Sequence, residues 1–530
     1  MKRLAAVTIV VLSCAALTGT AYAQRDWMTE GGDAQRSSWV RSDGKISNES
    51  MSKPGFDFLW KIKFKNESKQ LNSVTPAATL ERLIGYRGFR MLGFFGGSSD
   101  SIFTVDTDLG RIEWEKKFTS NPPAFKSTVA CPGGMTTSVV RPTIPAIPSI
   151  AGGGGGFGRS TPAKSGVGEP GQGAVTLANV RPNAPAPAPP AAPPRPAAAP
   201  RPNAAAPPGG QFGSGPFLVY ALSGDGMLHA MHLSNGQDFE SGIPFLPPNA
   251  SPKGLIVTDR FAYVITDQNC AGVPNGLWAL DLDSKKVSTW KANVTGLVGA
   301  AFDGDGNIYV TTGSGGEKPN SIVSLDPKTL AVKGAYSAGA QAFSTSPVIF
   351  TFKGKTMIAA TTKDGTLHLV DSGNLGAALN TAAAKASDAS TSALASWQDA
   401  SGNRWILVPT ANSVAAWKVV EQGGSFSLQA GWTSPALVAP LPPTVINGIA
   451  FVTSSGEFRG NAKMNAAQIA KRSSNAVLYA LDATTGKELW NSGKAITGFA
   501  HGAAISGGMG QVYLTTNDGT MYAFGFPMEH

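Results

Sequence analysis

The chain has 530 residues, a formal net charge of +9 and 15% charged residues. It is too long for one compact core of the ordinary kind, so we expect several units or a repeat architecture. Most of the surplus positive charge lies in the first three residues and in residues 144–216, which leaves no basic stripe interleaved with aromatic residues. Nucleic-acid binding is therefore not expected.

The N-terminus has the pattern of an export signal. A basic start is followed by an apolar run and by an Ala-Tyr-Ala sequence that ends at Ala23. Residues 1–23 are therefore predicted to be a signal peptide cleaved after Ala23, which makes the protein periplasmic or secreted in a bacterium. No segment offers about 20 unbroken apolar residues, so no transmembrane segment is expected. The alternative processing is a lipid anchor at Cys14.

Residues 24–55 are predicted to form an N-terminal arm, and residues 56–530 a repeat region. The repeated phrase is a strand, a turn, a second strand that carries an acid, and then Gly and Trp. Its cleanest copy runs from Ala480 to Trp490. Repetition of this kind is the primary evidence on the fold.

The strand that precedes each turn recurs with a period in the middle forties, once the insertions 144–216 and 458–474 are set aside. That period is the size of one four-stranded propeller blade. The eight strand starts are Met91, Val219, Ala262, Ile308, Met357, Trp405, Ile449 and Val512. Eight starts predict eight blades.

The two ends of the repeat region complement one another. After Val512 the sequence has strands for most of one blade but no outer strand, while Phe58–Phe64 is a strand pattern with no partners of its own. Pairing them closes the ring and removes exposed sheet edges. The predicted fold is all-β: an eight-bladed β-propeller of four-stranded blades with N-terminal strand closure.

The two insertions differ in character. Residues 144–216 are rich in Pro, Gly and Ala, and such a composition buries too little apolar surface to offset its ordering entropy. We therefore expect a disordered insertion there. Residues 458–474 are basic, and they are expected to form a short helix on one face of the ring.

The predicted mature chain has two cysteines, Cys131 and Cys270. They are a candidate disulfide, because an exported cysteine pair can be oxidised. Two separate thiols are the open alternative.

Three basic side chains are candidates for a ligand site at the mouth of the channel. His501, Lys253 and Arg141 each lie close to the start of a predicted innermost strand. Together they would offer a cationic mouth to an acidic ligand, whereas ordinary loop polarity is the alternative. By contrast, His229 and His368 share one repeat position with Tyr522, which favours a packing role.

The phrase at 480–490 resembles the tryptophan-docking repeat of pyrroloquinoline quinone (PQQ) propellers. Residues 26–36, together with Trp60, are similar to the entry segment of quinoprotein dehydrogenases. The resemblance covers nearly all of the predicted mature chain outside the insertions. It implies that the repeated Trp and Gly residues pack neighbouring blades together; here these are Trp60, Trp114, Trp290, Gly486 and Trp490.

Dehydrogenases of this family bind PQQ above a calcium ion. They use an Asp base, Glu and Asn metal ligands, a Trp floor and usually two adjacent cysteines. This sequence has no Cys-Cys pair and no Cys-x-x-Cys-His haem motif, and the calcium ligands cannot be matched to numbered positions.

Non-catalytic relatives with the same repeat include the propeller lipoprotein of the outer-membrane protein assembly machinery. The leading hypothesis is therefore an exported, non-catalytic scaffold that binds a protein partner in the cell envelope. The alternative is a PQQ- and calcium-dependent dehydrogenase that oxidises an alcohol or a sugar.

Overall fold

A computed structural model describes residues 26–85, 88–143, 175–176, 218–258, 260–384, 392–460, 463–503 and 505–527. The predicted signal peptide, with Cys14, lies outside these residues, as does the insertion 144–216 apart from 175–176.

The described chain forms eight β-sheets arranged as the blades of a ring, and the predicted eight-bladed propeller is confirmed. The entry segment contains β1 (Trp39–Val40), α1 (Asn48–Met51) and β2 (Asp57–Lys63). Blade 1 contains β3 (Ala78–Gly85), β4 (Gly88–Gly97), β5 (Ser101–Asp106) and β6 (Arg111–Lys117), and β7 (Val175–Thr176) pairs with β3. Blade 2 contains β8 (Leu218–Leu222), β9 (Met227–His232) and β10 (Ile243–Pro244), and Val140 bridges Tyr220 on its inner side.

Blades 3 to 5 follow without a long insertion. Blade 3 contains β11 (Lys253–Thr258), β12 (Phe261–Thr266), β13 (Gly276–Asp281) and β14 (Val287–Lys291), with a short 3-10 turn at Cys270–Gly272. Blade 4 contains β15 (Val294–Thr295), β16 (Ala301–Phe302), β17 (Ile308–Thr312), β18 (Ser321–Leu325) and β19 (Val332–Ser337). Blade 5 contains β20 (Val348–Phe352), β21 (Lys355–Thr361), β22 (Thr366–Asp371) and β23 (Asn374–Ala383).

The last three blades complete the ring. Blade 6 contains β24 (Ala395–Gln398), β25 (Arg404–Pro409), β26 (Val414–Gln422) and β27 (Ser425–Thr433). Blade 7 contains β28 (Thr444–Ile446), β29 (Ile449–Ser454), α2 (Ala466–Arg472), β30 (Val477–Asp482) and β31 (Glu488–Asn491). Blade 8 contains β32 (Ile505–Gly508), β33 (Gln511–Thr515) and β34 (Thr520–Gly525).

The N-terminal strand closes the ring. Strand β2 pairs antiparallel with β34 as the outer strand of blade 8, and Phe58 lies opposite Phe524. The inner strand β32 also contacts β3 of blade 1. The N-terminal strand is therefore part of the sheet of blade 8, and blade 8 packs against blade 1.

The hydrophobic core lies between neighbouring blades, because each sheet buries both faces against the next. Between blades 8 and 1, Phe64, Phe95, Phe103 and Tyr513 form one such cluster. Tight hairpins separate the strands, and Gly519 has φ +82 in the Asp-Gly turn between β33 and β34. A side chain would strain that turn, which explains why glycine follows Asp518 there.

Residues 27–43 of the arm follow the inside of the ring. They bond in chain order to successive blades: Trp27 with Thr79, Met28 with Arg141, Thr29 with Leu255, Ala34 with Phe302, Gln35 with Ile349, Ser37 with Ser396, Ser38 with Val445, and Asp43 with Gly510. The arm therefore contacts all eight blades before it enters β2. No helix in the described part of the chain has the length and apolar character that crossing a membrane requires.

Candidate functional site

The centre of the ring contains a cavity of about 780 Å³ with a mixed polar and apolar wall. Its walls come from segments between consecutive blades and from the turns between the second and third strands of several blades. The carboxamides in the wall are Asn72, Gln268, Asn275, Asn293 and Asn517. The volume suits a small molecule or a protruding protein segment.

The arm contributes Glu30 to the cavity lining. Glu30 accepts hydrogen bonds from the backbone N–H and the hydroxyl of Ser138, at 2.8 and 3.0 Å. Burial raises the pKa of Glu30, while the Ser138 hydrogen bonds and the charge of Arg36 oppose that rise. Glu30 therefore takes up a proton more readily than an exposed glutamate does.

Arg36, which lies close to Glu30, anchors the arm to the ring. Its guanidinium donates to the backbone oxygens of Ala300 and Gly254, at 2.8 and 2.9 Å, and to the Thr29 hydroxyl at 2.9 Å. Burial lowers the pKa of Arg36 to about 10, against the opposing charges of Glu30 and Asp33. Arg36 is therefore charged at neutral pH, and it joins blades 3 and 4 to the arm.

Two of the predicted mouth residues lie in the cavity wall, and each already has an acidic partner. Lys253 Nζ lies 2.5 Å from Asp267 Oδ2. His501 Nδ1 lies 2.8 Å from Glu457 Oε2. Across the whole lining, three Lys or Arg residues face three Asp or Glu residues. The wall is therefore close to neutral, so it does not form the cationic mouth that the sequence suggested.

Arg141, the third predicted mouth residue, does not line the cavity. Its Nη1 bonds Asp26 Oδ2 at 2.6 Å and the backbone oxygen of Thr79 at 2.5 Å. The reason is the arm, which places Asp26 beside blade 2 and draws the guanidinium away from the channel. The structure therefore brings Lys253 and His501 to one cavity and leaves Arg141 in the arm contact.

Cys131 and Cys270 form a disulfide with a Cα–Cα distance of 5.4 Å. Cys131 lies in the segment that leads into blade 2, and Cys270 lies in the turn after β12. Flanking residues of both, Ala130 and Gln268 among them, line the cavity. The disulfide therefore fixes two loops of neighbouring blades at the side of the site.

Three of the described tryptophans lie on turn glycines of the following blade. A β-carbon added at Gly486 would lie 2.7 Å from the ring of Trp432. The pairs of this kind are Trp60 with Gly110, Trp114 with Gly236, and Trp432 with Gly486. Trp432 was missed in the sequence, because the hairpin between β26 and β27 is longer than the repeated phrase and lacks its Asp.

The other two predicted blade-packing tryptophans have different neighbours. Trp290 belongs to the same buried core cluster as Leu330. In blade 4, Leu330 occupies the turn position at which the repeated phrase has glycine. Trp490 packs edge-on against Phe56 and Phe524, at ring distances of 5.0 and 5.4 Å. These aromatic neighbours occur where the N-terminal segment enters blade 8.

The cavity lining does not fit PQQ with calcium as the family resemblance describes that site. Within the described lining, no indole offers a floor for the quinone. In the described ranges, no group of three His, Cys, Asp or Glu side chains is arranged to hold a metal ion. The near-neutral wall also provides little attraction for a tricarboxylate. We therefore derive no reaction step through this cofactor.

Searches of protein-family models and of curated protein sequences found no match. The fold itself is similar to that of solved quinoproteins. Quinohemoprotein alcohol dehydrogenase from Comamonas testosteroni aligns with a TM-score of 0.55 at 13% identity, over 97% of this chain and 82% of that chain. A europium-containing methanol dehydrogenase aligns with a TM-score of 0.51 at 12% identity, over 94% and 89%.

BamB from Moraxella catarrhalis aligns with a TM-score of 0.46 at 11% identity, over 90% of this chain and 99% of that chain. The two dehydrogenase structures confirm the predicted likeness to quinoprotein propellers at the level of the fold. At these identities the likeness concerns architecture alone.

Proposed function

We propose that this chain is an exported, non-catalytic propeller that binds a protein partner in the cell envelope. The observation that carries the proposal is that two cationic side chains of the central cavity are already paired with acidic neighbours. Lys253 bonds Asp267, and His501 bonds Glu457. A cofactor with three carboxylates would have to break such pairs and lose their energy, whereas a protein partner can bind at the loops around the cavity.

Export is supported by the sequence of residues 1–23 and by the disulfide between Cys131 and Cys270. Disulfides persist in oxidising compartments such as the bacterial periplasm. Mass spectrometry of the protein from its own cells tests this proposal. We expect a mature chain that starts at Gln24; a lipid-modified chain that starts at Cys14 would establish the anchored alternative.

The second candidate is a PQQ- and calcium-dependent dehydrogenase acting on an alcohol or a sugar. It is favoured by one observation, a cavity of about 780 Å³ in the centre of a quinoprotein-like ring with a disulfide at its side. In that case Lys253 is the first residue to mutate, because its ammonium group is the natural partner of a quinone carboxylate.

Titration with PQQ and calcium separates the two candidates. Melting temperature and quinone absorbance are followed together in the purified mature protein. We expect neither to change saturably. A saturable, calcium-dependent rise in melting temperature that is lost in Lys253→Ala would refute the non-catalytic proposal and establish a cofactor site.

A further inference from the structure

The described residues of the insertion between β29 and β30, 458–460 and 463–474, lie at the rim of the cavity and contain helix α2. A capping box closes the N-terminus of helix α2. The side chains of Asn465 and Gln468 each accept a hydrogen bond from the backbone N–H of the other residue. Ile469 of this helix is buried against Leu71 and Phe499. Leu71 is itself part of the cavity wall. The apolar side of α2 is therefore used for packing on the propeller.

The base of the insertion is closed by hydrogen bonds. The N–H of Phe458 donates to the Ser473 hydroxyl at 2.9 Å, and the N–H of Ser474 donates to the Gly456 oxygen at 2.8 Å. The neighbouring loop is joined to it, since the Val438 N–H donates to the Ser454 hydroxyl at 2.8 Å. The two backbone segments that carry Val438 and Phe458 are thus joined by hydrogen bonds.

The outward side of this surface is basic. Residues 458–474 contain four Lys or Arg residues and no Asp or Glu. Lys471 and Arg472 are exposed at the end of α2, and Arg459 is exposed beside the cavity. The Arg472 guanidinium lies 5.3 Å from the ring centre of Phe458. A cation–π contact of this kind fixes the orientation of both groups.

Two large apolar side chains are exposed within the same surface. Val438 is 51% exposed and Phe458 is 36% exposed. We call Val438, Phe458, Arg459, Lys471 and Arg472 the basic rim patch. Exposed aromatic and Arg side chains on an ordered frame are the groups that dominate binding energy at protein interfaces.

We propose that the basic rim patch binds an acidic segment of a partner protein that carries an apolar anchor residue. The inference rests on the proposed protein-binding function and gives that function a surface. The carboxylates of the segment pair with Lys471 and Arg472, while the anchor covers Val438 and Phe458. The adjoining cavity gives space for a protruding end of the same segment.

The chemistry of the patch favours a protein over a membrane or a nucleic acid. An interfacial helix needs its apolar side free for the lipid, but the apolar residues of α2 pack on Leu71 and Phe499. Nucleic acids require an extended basic track, and here the basic residues are confined to a short insertion. A protein segment matches both the small area and its mixture of charge and apolar surface.

Fluorescence anisotropy tests the chemistry on the purified mature protein. The probe is a fluorescein-labelled peptide of Asp and Glu residues around a central Phe-Leu pair; its control has Asn and Gln in place of the acids. We expect saturable binding of the acidic peptide that weakens with salt. The Lys471→Glu/Arg472→Glu variant should weaken binding at least about tenfold.

The matched control is Lys328→Glu/Lys487→Glu, which changes the net charge equally at exposed turn residues of blades 4 and 7. Equal weakening in both double variants would overturn the proposal, since it would reveal a general charge effect. Binding to phosphatidylglycerol vesicles with no binding to the acidic peptide would also overturn it, in favour of a lipid surface.

Photo-crosslinking in the producing cells separates this inference from the broader proposal. Benzoylphenylalanine is placed at Val438, and at Val287 on the outer strand β14 as control. A Val438 adduct mapped to an acidic segment, and lost in Lys471→Glu/Arg472→Glu, supports the patch. Protein adducts at Val287 alone would overturn the patch but leave the scaffold proposal standing, whereas no adduct at either position would count against both.

Discussion

His368 is a packing residue of blade 5, and its burial also makes the stability of the protein depend on pH. The residue is buried, with an exposure of 7%. Nδ1 lies 2.9 Å from the Tyr336 hydroxyl, and Nε2 lies 3.2 Å from the Thr362 hydroxyl. Desolvation lowers the pKa of His368, and the nearby Asp364 only partly opposes this effect. Burial likewise lowers the pKa of His229.

These depressed pKa values predict a loss of stability in weak acid. The unfolded chain takes up protons on both histidines near pH 6.5, while the folded chain does not, so the free energy of unfolding falls as the pH drops through about 6.5. One histidine contributes a slope of at most about 1.4 kcal/mol per pH unit. Urea unfolding across this range should show a shallower slope for His368→Asn than for the natural protein.

The disulfide is the second feature at the scale of single residues. It closes a sequence separation of 139 residues, so its loss should release considerable conformational freedom in the unfolded chain. We expect Cys131→Ser/Cys270→Ser to lower the free energy of unfolding by about 2–5 kcal/mol. Reducing agent should destabilise the natural protein and leave the double variant unchanged. Equal sensitivity of both proteins would contradict a bridged pair.

At the scale of the blade, packing depends on the tryptophan side chain of one blade, which lies against a turn of the next blade. Gly486 has φ +74, and its position leaves no space for a β-carbon beside Trp432. Gly493 in the same blade also has a positive φ, +53, but nothing lies within 4 Å of an added β-carbon. A comparison of substitutions at the two glycines therefore distinguishes the cost of a positive φ from the cost of disturbing the packing between blades.

Gly486→Ala should destabilise the protein more than Gly493→Ala. Both substitutions place a side chain at positive φ, which costs on the order of 1 kcal/mol. Only the first also displaces the Trp432 ring, and overpacking of this kind adds about 1–3 kcal/mol. Chemical denaturation of the two variants measures the difference. Equal losses would mean that the Trp432 contact contributes nothing beyond the turn conformation.

The period of the strands was predictable, whereas some of the contacts between blades were not. The Asp, Gly and Trp of blade 7 are close in sequence, so Gly486 could be recognised from its own phrase. Trp432 lies near the end of the long strand β27, and nothing near it in the sequence marks it as the partner of Gly486. Similarly, the sequence placed Arg141 at the channel. It could not show the pairing of Arg141 with Asp26, because that contact depends on the path of the arm.

At the scale of the whole molecule, the arm makes the ring more than a sum of neighbouring blades. In a simple repeat array each unit contacts only its neighbours. Here residues 27–43 bond to every blade in turn. Local sequence could not predict this path, because most of these bonds involve main-chain groups that have no periodic signal. Cooperative unfolding of all eight blades is the expected consequence.

Arg36 is the residue through which to test that cooperativity. Arg36→Met removes the donors to Ala300, Gly254 and Thr29 and leaves buried acceptors without partners. We expect a loss of about 3 kcal/mol or more in a single transition. Arg111→Met, at a side chain 57% exposed, should have little effect. Calorimetry that resolves separate transitions for the blades would contradict the cooperative role of the arm.

The pairing of β2 with β34 also sets an order of events in the life of the protein. The ribosome makes β2 hundreds of residues before β34, so the strand that completes blade 8 must wait for nearly the whole chain. Until then its edge is available to the wrong partners. Ring closure is consequently a late step that depends on distant contacts, and such contacts form slowly. We therefore expect newly made chains to need protection from aggregation for longer than the size of a single blade would suggest.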